Sequence, residues 1–151
     1  MGEVAGVWAL SVQQPWAWAI ARGHKEILNQ ASDTGHRGPV AIYASFSVDL
    51  ESFENHALRE TCWDSADPVA AIGGIVAVVT LADVCSAAAS GGPCDCGRWA
   101  TRGSYHWRLT QPRPLWWPVL ALGEPGLWEL SPAAAASVAR LLPDEAVRAR
   151  P

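Results

Sequence analysis

Basic and aromatic side chains alternate between residues 98 and 113, a segment that contains no aspartate or glutamate. Arginine neutralises nucleic-acid phosphates, and an aromatic face stacks on a base with about 1–3 kcal/mol. The segment therefore predicts a surface that binds single-stranded nucleic acid. Its candidate binding residues are Arg98, Trp99, Arg102 and Arg108. The alternative is a solvated face of arginines, with Trp107 in the core beside Leu109. For Trp107 we expect the core.

Lys25 is the only lysine of the chain, and it follows a predicted helix end at Gly23. A lysine in this position suits a phosphate contact, or a role as base or nucleophile if burial lowers its pKa. The alternative is an exposed lysine. Arg37 stands before Gly38, and glycine lets a backbone approach a ligand closely. Here the alternative is a solvated turn.

The predicted binding site combines these residues. We expect Lys25 and Arg37 to hold phosphates, and Trp18 and Trp99 to stack on bases. Backbone groups beside Gly38 and Ser45 would contact the base or the sugar. The predicted partners are RNA, another single-stranded nucleic acid or a modified nucleoside.

A hydrolase is the second hypothesis, with Lys25 as base or electrostatic stabiliser. Its candidate catalytic partners are Thr34, His36 and Asp83, of which histidine titrates near neutrality. Ser45, Thr80 and Asp83 form no recognisable catalytic triad by spacing. A third hypothesis is a protein-interaction module that uses exposed tryptophans such as Trp116 and Trp117.

The four cysteines predict neither a disulfide scaffold nor a zinc site. Cys94 and Cys96 are separated by one residue, and Cys62 and Cys85 lie apart from them, so no paired C-x-x-C spacing exists. The glycine pairs fit no phosphate-binding loop. We expect no metal and no nucleotide cofactor.

Composition and charge limit the class of protein. Hydrophobic residues make up 50% and charged residues 17% of the 151 residues, against about 25% charged in an average domain, which excludes disorder of the whole chain. The net charge of −4 argues against a uniformly basic protein, but the acidic residues concentrate between 49 and 67. No signal peptide or membrane span is evident, so we expect a soluble cytoplasmic protein.

The hydrophobic pattern predicts strands at 7–10, 25–30, 40–44, 72–84, 105–109 and 126–130. It predicts helices at 16–22, 50–62 and 132–142. The prolines between 112 and 118 predict an extended path or a sheet edge. Among the nine tryptophans, we expect Trp16 against the sheet, Trp18 at the periphery or the cleft rim, and Trp8 and Trp128 in the core or at the closure of the barrel. The fold class is α+β, with one domain at 1–142 and a frayed tail at 143–151.

Seven segments in order resemble the ASCH domain family. They are LSVQQPWA at 10–17, GHK at 23–25, RGPVAIYAS at 37–45, GIVAVVTLAD at 74–83, YHWRL at 105–109, PRPL at 112–115 and GLWEL at 126–130. The resemblance implies a PUA-like small β-barrel with flanking helices. It also implies a cleft that binds RNA, single-stranded nucleic acid or modified nucleosides.

The resemblance also bears on catalysis, because some relatives are ribonucleases or amidohydrolases acting on acylated cytidine. The family's cleft motif is Gly-x-Lys-x-x-Glu-x-Arg. Gly23 and Lys25 match it, whereas Leu28 and Gln30 occupy the glutamate and arginine positions. Leucine neither transfers a proton nor attacks a carbonyl. The resemblance therefore favours binding over hydrolysis.

Overall fold

Six strands form one mixed sheet in the computed structural model, which describes residues 7–143. The strands are Trp8–Gln14 (β1), Ile27–Gln30 (β2), Gly38–Val48 (β3), Gly74–Cys85 (β4), Tyr105–Leu120 (β5) and Leu127–Glu129 (β6). The helices are Trp16–Ala21 (α1), His56–Arg59 (α2) and Pro132–Leu141 (α3). Short 3-10 turns occur at Leu50–Glu54, Pro68–Ala70 and Ala88–Ser90.

The strand order is β2-β5-β4-β3-β1-β6. β1 and β3 are parallel, and the other neighbouring pairs are antiparallel. The predicted α+β class is confirmed. The predicted barrel is not confirmed. Within residues 7–143 the sheet ends at β2 on one side and β6 on the other, and these strands do not pair.

β4 lies at the centre of the sheet because its β-branched run is buried on both faces, as predicted. On one face, Val76 and Leu81 pack in the cluster that contains α1 and Trp107. On the other, Ile75 and Val78 pack with Trp128 and with Val138 of α3. The two longer helices thus cover opposite faces.

Two predicted elements differ from the structure. The helix predicted at 50–62 is interrupted at Asn55, whose extended backbone (φ −66°, ψ 125°) lets its side chain accept a hydrogen bond from the Leu58 backbone N–H. Asn55 therefore caps a new helix, α2, instead of continuing the preceding turn. β5 also runs on to Leu120, far beyond the predicted end at 109.

The prolines of β5 lie where the sequence predicted an edge. β2 pairs with β5 only from Tyr105 to Arg108, so beyond that point β5 has β4 as its one strand neighbour within residues 7–143. A missing N–H is tolerated on such a free side. The tail predicted from residue 143 lies, beyond Pro143 itself, outside the described residues.

Candidate functional site

Lys25 lies in the turn that joins α1 to β2. Gly23 has a φ of 79°, a conformation that favours glycine, and the Lys25 backbone N–H donates to the Ala19 carbonyl at 3.1 Å. These constraints direct the lysine side chain inward, and Lys25 is only 6% exposed. Lys25 is therefore nearly buried and does not occupy the exposed position that was the alternative.

Two indole rings flank the ammonium of Lys25. Its Nζ lies 5.2 Å from the ring centroid of Trp16 and 5.1 Å from that of Trp99. The rings meet edge to face at 5.9 Å, and Trp16 Nε1 donates to Asp49 Oδ2 at 3.0 Å. Both lysine–indole distances lie in the range of cation–π attraction. The two tryptophans thus form a fixed, electron-rich wall around one positive charge.

This positive charge has no carboxylate partner. Within residues 7–143, the ion pairs use Arg22, Arg37, His56 and Arg98 but not Lys25. Burial lowers the pKa of Lys25 to about 8, although the nearby Glu26 carboxylate acts in the opposite direction. At neutral pH the side chain is still mostly charged. Lys25 is therefore a nearly buried cation without an ion-pair partner in the described part of the chain.

Lys25 lines one cavity, and its chain neighbours His24 and Glu26 line a second. One of about 50 Å³ is lined by Gly23, Lys25, Thr110 and Pro112, so it lies beside β5. A second, of about 320 Å³, is lined by Glu26, Glu60, Arg98 and Trp99. The first volume holds no more than one or two water molecules, and the second reaches the lower end of ligand pockets. Trp99 lines the second cavity but not the first.

In the turn at residues 33–39, which was predicted to complete the site, the polar side chains bond to groups of the same turn. Arg37 lies 3.5 Å from Asp33 and donates to the carbonyls of Thr34 and His36. His36 Nε2 donates to the Pro39 carbonyl at 3.0 Å, and the Thr34 hydroxyl accepts from the His36 backbone. No hydrogen bond or ion pair between residues 7 and 143 joins this turn to Lys25.

The candidate catalytic residues are likewise not assembled around Lys25. Asp83 is exposed, accepts from the Val84 backbone N–H and stands opposite Arg108 in the β4–β5 pair. Ser45 donates to the Ser47 carbonyl at 3.3 Å. Leu28 is buried opposite Trp107, as a core residue. Lys25, Thr34, His36 and Asp83 thus have separate surroundings.

Trp18 and Trp99 are more deeply buried than a role in base stacking requires. Trp18 is 3% exposed, not peripheral, because its Nε1 donates to Asp67 and its ring stacks on His24. Trp16 is the less buried of the two residues. Trp99 is 7% exposed and packs with Ile27 and Cys96, so neither Trp18 nor Trp99 offers an open face for stacking.

Other tryptophans lie where they were expected. Trp107 and Trp128 are buried, and Trp116 and Trp117 are 68% and 65% exposed. Trp8, expected in the core, is only partly buried.

The arginines of the basic segment differ in their partners. Arg98 is paired with Glu60 at 2.8 Å. Arg102, Arg108 and Arg113 have no carboxylate within ion-pair distance in the described part of the chain. Arg108 and Arg113 lie on β5, on either side of the residues that line the smaller cavity. Arginines without an ion-pair partner thus occur on β5 both before and after the residues that line this cavity.

One group of possible metal ligands was not apparent from cysteine spacing. Cys85, Cys94, Cys96 and His106 bring four ligand atoms within 4.8 Å of one another. Spacing did not reveal the group because its members come from two strand ends and the segment between them, not from one compact motif. Pairing of the 74–84 and 105–109 strands across a cysteine-bearing loop was the signal available in the sequence.

The comparisons with known proteins agree with this fold. No family model and no curated protein match the sequence. The ASCH protein of Zymomonas mobilis superposes with a TM-score of 0.55 at 13% identity, covering 92% of this chain and 97% of that one. A single-substitution mutant of it gives 0.56 at 12% identity, covering 92% and 100%. The architecture is that of ASCH domains. This chain has an ASCH-like fold, as the sequence resemblance predicted.

Proposed function

We propose that this chain binds single-stranded nucleic acid, with RNA as the principal ligand, along β5. The observation that carries the proposal is Lys25, a buried cation without a carboxylate partner, whose smaller cavity lies beside Thr110 and Pro112 of that strand. Removing a charge from water is costly unless an opposite charge or a hydrogen bond compensates it. A phosphate oxygen near Lys25 would provide that compensation.

The arginines of β5 extend this positive surface. Arg108 and Arg113 precede and follow the cavity-lining residues in the chain, and within residues 7–143 neither has a carboxylate partner. Arg108 and Arg113 thus add positive charge before and after the cavity-lining residues, although Arg113 pairs with Val78 of the sheet face that α3 covers. The acidic residues between 49 and 67 account for the negative net charge without neutralising these groups.

Base stacking needs exposed aromatic faces, and Trp18 and Trp99 are buried. Trp116 and Trp117 follow Arg113 on the same strand and are mostly exposed. Exposed indoles next to free arginines are the combination that sequence-tolerant single-strand binding uses. We assign the stacking to these two residues in place of Trp18 and Trp99.

Fluorescence anisotropy with a labelled ten-nucleotide RNA tests this proposal. The affinity should fall with salt, and the double variant Arg108→Ala/Arg113→Ala should reduce the slope of log K against log salt by about 0.7 for each phosphate that the protein no longer neutralises. Trp116→Ala/Trp117→Ala should weaken binding without changing that slope. Arg140→Ala, an exposed change on α3, is the matched control. Salt-independent binding, or unchanged binding in both double variants, would overturn the proposal.

Hydrolysis is the second candidate, favoured by the depressed pKa of Lys25 at about 8, which suits a general base. Against it stand the separate surroundings of Thr34, His36 and Asp83. Incubation with labelled RNA and with acylated cytidine distinguishes the two functions. Turnover that disappears in Lys25→Met would establish the hydrolase, and RNA binding without turnover supports the proposed binding function.

Protein interaction is the third candidate, favoured by the exposure of Trp116, Trp117 and Leu120 on one strand. An apolar surface of this kind is common at interfaces. Sedimentation of the purified chain, with and without RNA, separates this function from base stacking by the same tryptophans. Self-association that Trp117→Ala abolishes, with no RNA binding, would favour the interaction module.

A further inference from the structure

Four metal-binding side chains meet where the β4–β5 connection begins and ends. Cys85 is the last residue of β4, and His106 lies directly opposite it in β5. Cys94 and Cys96 come from the segment 86–104 that joins these strands. All four ligand atoms lie within 4.8 Å of one another. Three sulfurs and one imidazole nitrogen form one of the standard ligand sets of structural zinc.

The distances are close to those of a tetrahedral site. Zinc bound at about 2.3 Å from sulfur and about 2.0 Å from nitrogen places ligand atoms roughly 3.5–3.8 Å apart. The Cys94 Sγ to His106 Nδ1 distance is 3.4 Å. Since all four ligand atoms lie within 4.8 Å of one another, zinc binding requires a contraction of no more than about 1 Å for any pair.

His106 is already oriented as a ligand. Its Nε2 lies 2.6 Å from the Thr101 carbonyl oxygen, which is only an acceptor, so Nε2 carries the proton. In the neutral imidazole, the lone pair is then on Nδ1, which faces Cys94. His106 is 1% exposed, and this fixed tautomer with a backbone partner is the usual outer support of a zinc-binding histidine.

A cationic side chain lies next to the sulfurs. Arg108 Nη1 lies 3.8 Å from Cys96 Sγ. Zinc with three thiolates has a net charge of −1, which Arg108 offsets.

We propose that Cys85, Cys94, Cys96 and His106 bind a structural zinc ion. The segment 86–104 contains only one three-residue 3-10 turn, yet Trp99 within it forms a wall of the Lys25 site. A segment of that length in a compact domain needs some additional constraint. Zinc supplies it by joining two points of the segment to the ends of β4 and β5. This inference does not rest on the proposed RNA binding.

Metal analysis of the full chain, expressed with zinc and purified without chelator, is the direct test. We expect about one zinc per chain, and a loss of it in Cys94→Ser/Cys96→Ser. Cys62→Ser is the matched control, because Cys62 is exposed and outside the cluster, and it should keep the full zinc content. Zinc retained by the double variant, or lost equally in Cys62→Ser, would overturn the proposal.

A second measurement tests the zinc site on the wild-type chain, so it does not depend on whether the double variant folds. Cobalt added to the metal-free wild-type chain should give the intense thiolate-to-cobalt absorption of a tetrahedral site, and zinc should displace it. Zinc should also raise Tm in proportion to the logarithm of its concentration. A metal-free chain with no cobalt spectrum and no change in Tm contradicts the site. A disulfide among Cys85, Cys94 and Cys96 in protein freshly purified under reducing conditions also contradicts the site.

Discussion

Lys25 and Arg37 carry the same charge in opposite surroundings. Arg37 is about two-fifths exposed, lies next to Asp33 and donates to two carbonyls within four residues of chain. Lys25 is buried, flanked by Trp16 and Trp99, and has no carboxylate partner among residues 7–143. Both residues were predicted to hold phosphates of the same bound nucleic acid.

The difference shows which cation has free binding capacity. Arg37 already has an anion and two acceptors, so a phosphate there would compete with existing contacts. Lys25 is flanked by two indoles, which attract a cation more weakly than an anion does once water is removed. A nearly buried cation without an ion-pair partner is therefore a stronger indication of a ligand site than an exposed charge held by its neighbours.

The largest expected effect comes from removing a wall of the Lys25 site. Trp99→Ala should cost about 3–5 kcal/mol of unfolding free energy, because it leaves a cavity beside Ile27 and Cys96 and opens Lys25 to water. Urea denaturation measures this cost. Trp116→Ala, at an exposed position, should change the unfolding free energy by less than about 0.5 kcal/mol. Equal costs for the two variants would mean that Trp99 does not support the site.

An intermediate effect is expected from Lys25→Met, which removes the buried charge while keeping the length of the side chain. It should stabilise the chain at pH 7 by about 1–3 kcal/mol.

This gain should depend on pH in a defined direction. The pKa of Lys25 is about 8 in the folded chain and about 10.4 when unfolded, so the unfolded chain binds more protons between those values. Wild-type stability should therefore rise relative to Lys25→Met as the pH increases from about 8 to 10.4. Denaturation curves of both proteins across this range provide the measurement. A constant difference would show that Lys25 is not desolvated.

The smallest effect is expected at the turn. Arg37→Ala should change the unfolding free energy by less than about 0.5 kcal/mol at moderate salt, because its ion pair with Asp33 is exposed. It should also leave RNA affinity nearly unchanged, in contrast to Lys25→Met. Parallel urea and anisotropy measurements check both statements. A tenfold loss of RNA binding in Arg37→Ala would reverse the comparison between the two cations.

Much of the fold was predictable from local patterns. The buried β-branched run of β4 and the Ser131-Pro132 start of α3 were located correctly, since each depends on neighbouring residues. The 50–62 helix was not, because Asn55 competes with the helix by binding the Leu58 N–H. Closure of the sheet depends on how far β2 and β6 are apart, which no local pattern records.

The candidate site was less predictable, because its contacts join distant segments. Lys25 was identified, but its partner Trp16 was not, since neighbouring helix positions do not show which indole faces inward. Trp18 is buried through Asp67, a residue 49 positions further along the chain. The cysteine cluster was missed for the same reason: its geometry arises from the β4–β5 pairing and not from cysteine spacing.

The pairing of β1 with β6 has a consequence for how the chain folds. Trp8 to Leu10 form their ladder with Leu127 to Glu129, so β1 pairs on that side with the last strand of residues 7–143. This edge of β1 stays unpaired until the chain as far as Glu129 is available. Closing so long a loop is entropically costly before its contacts are gained. Folding is therefore expected to finish at this edge, and more slowly than in a helical protein of equal length.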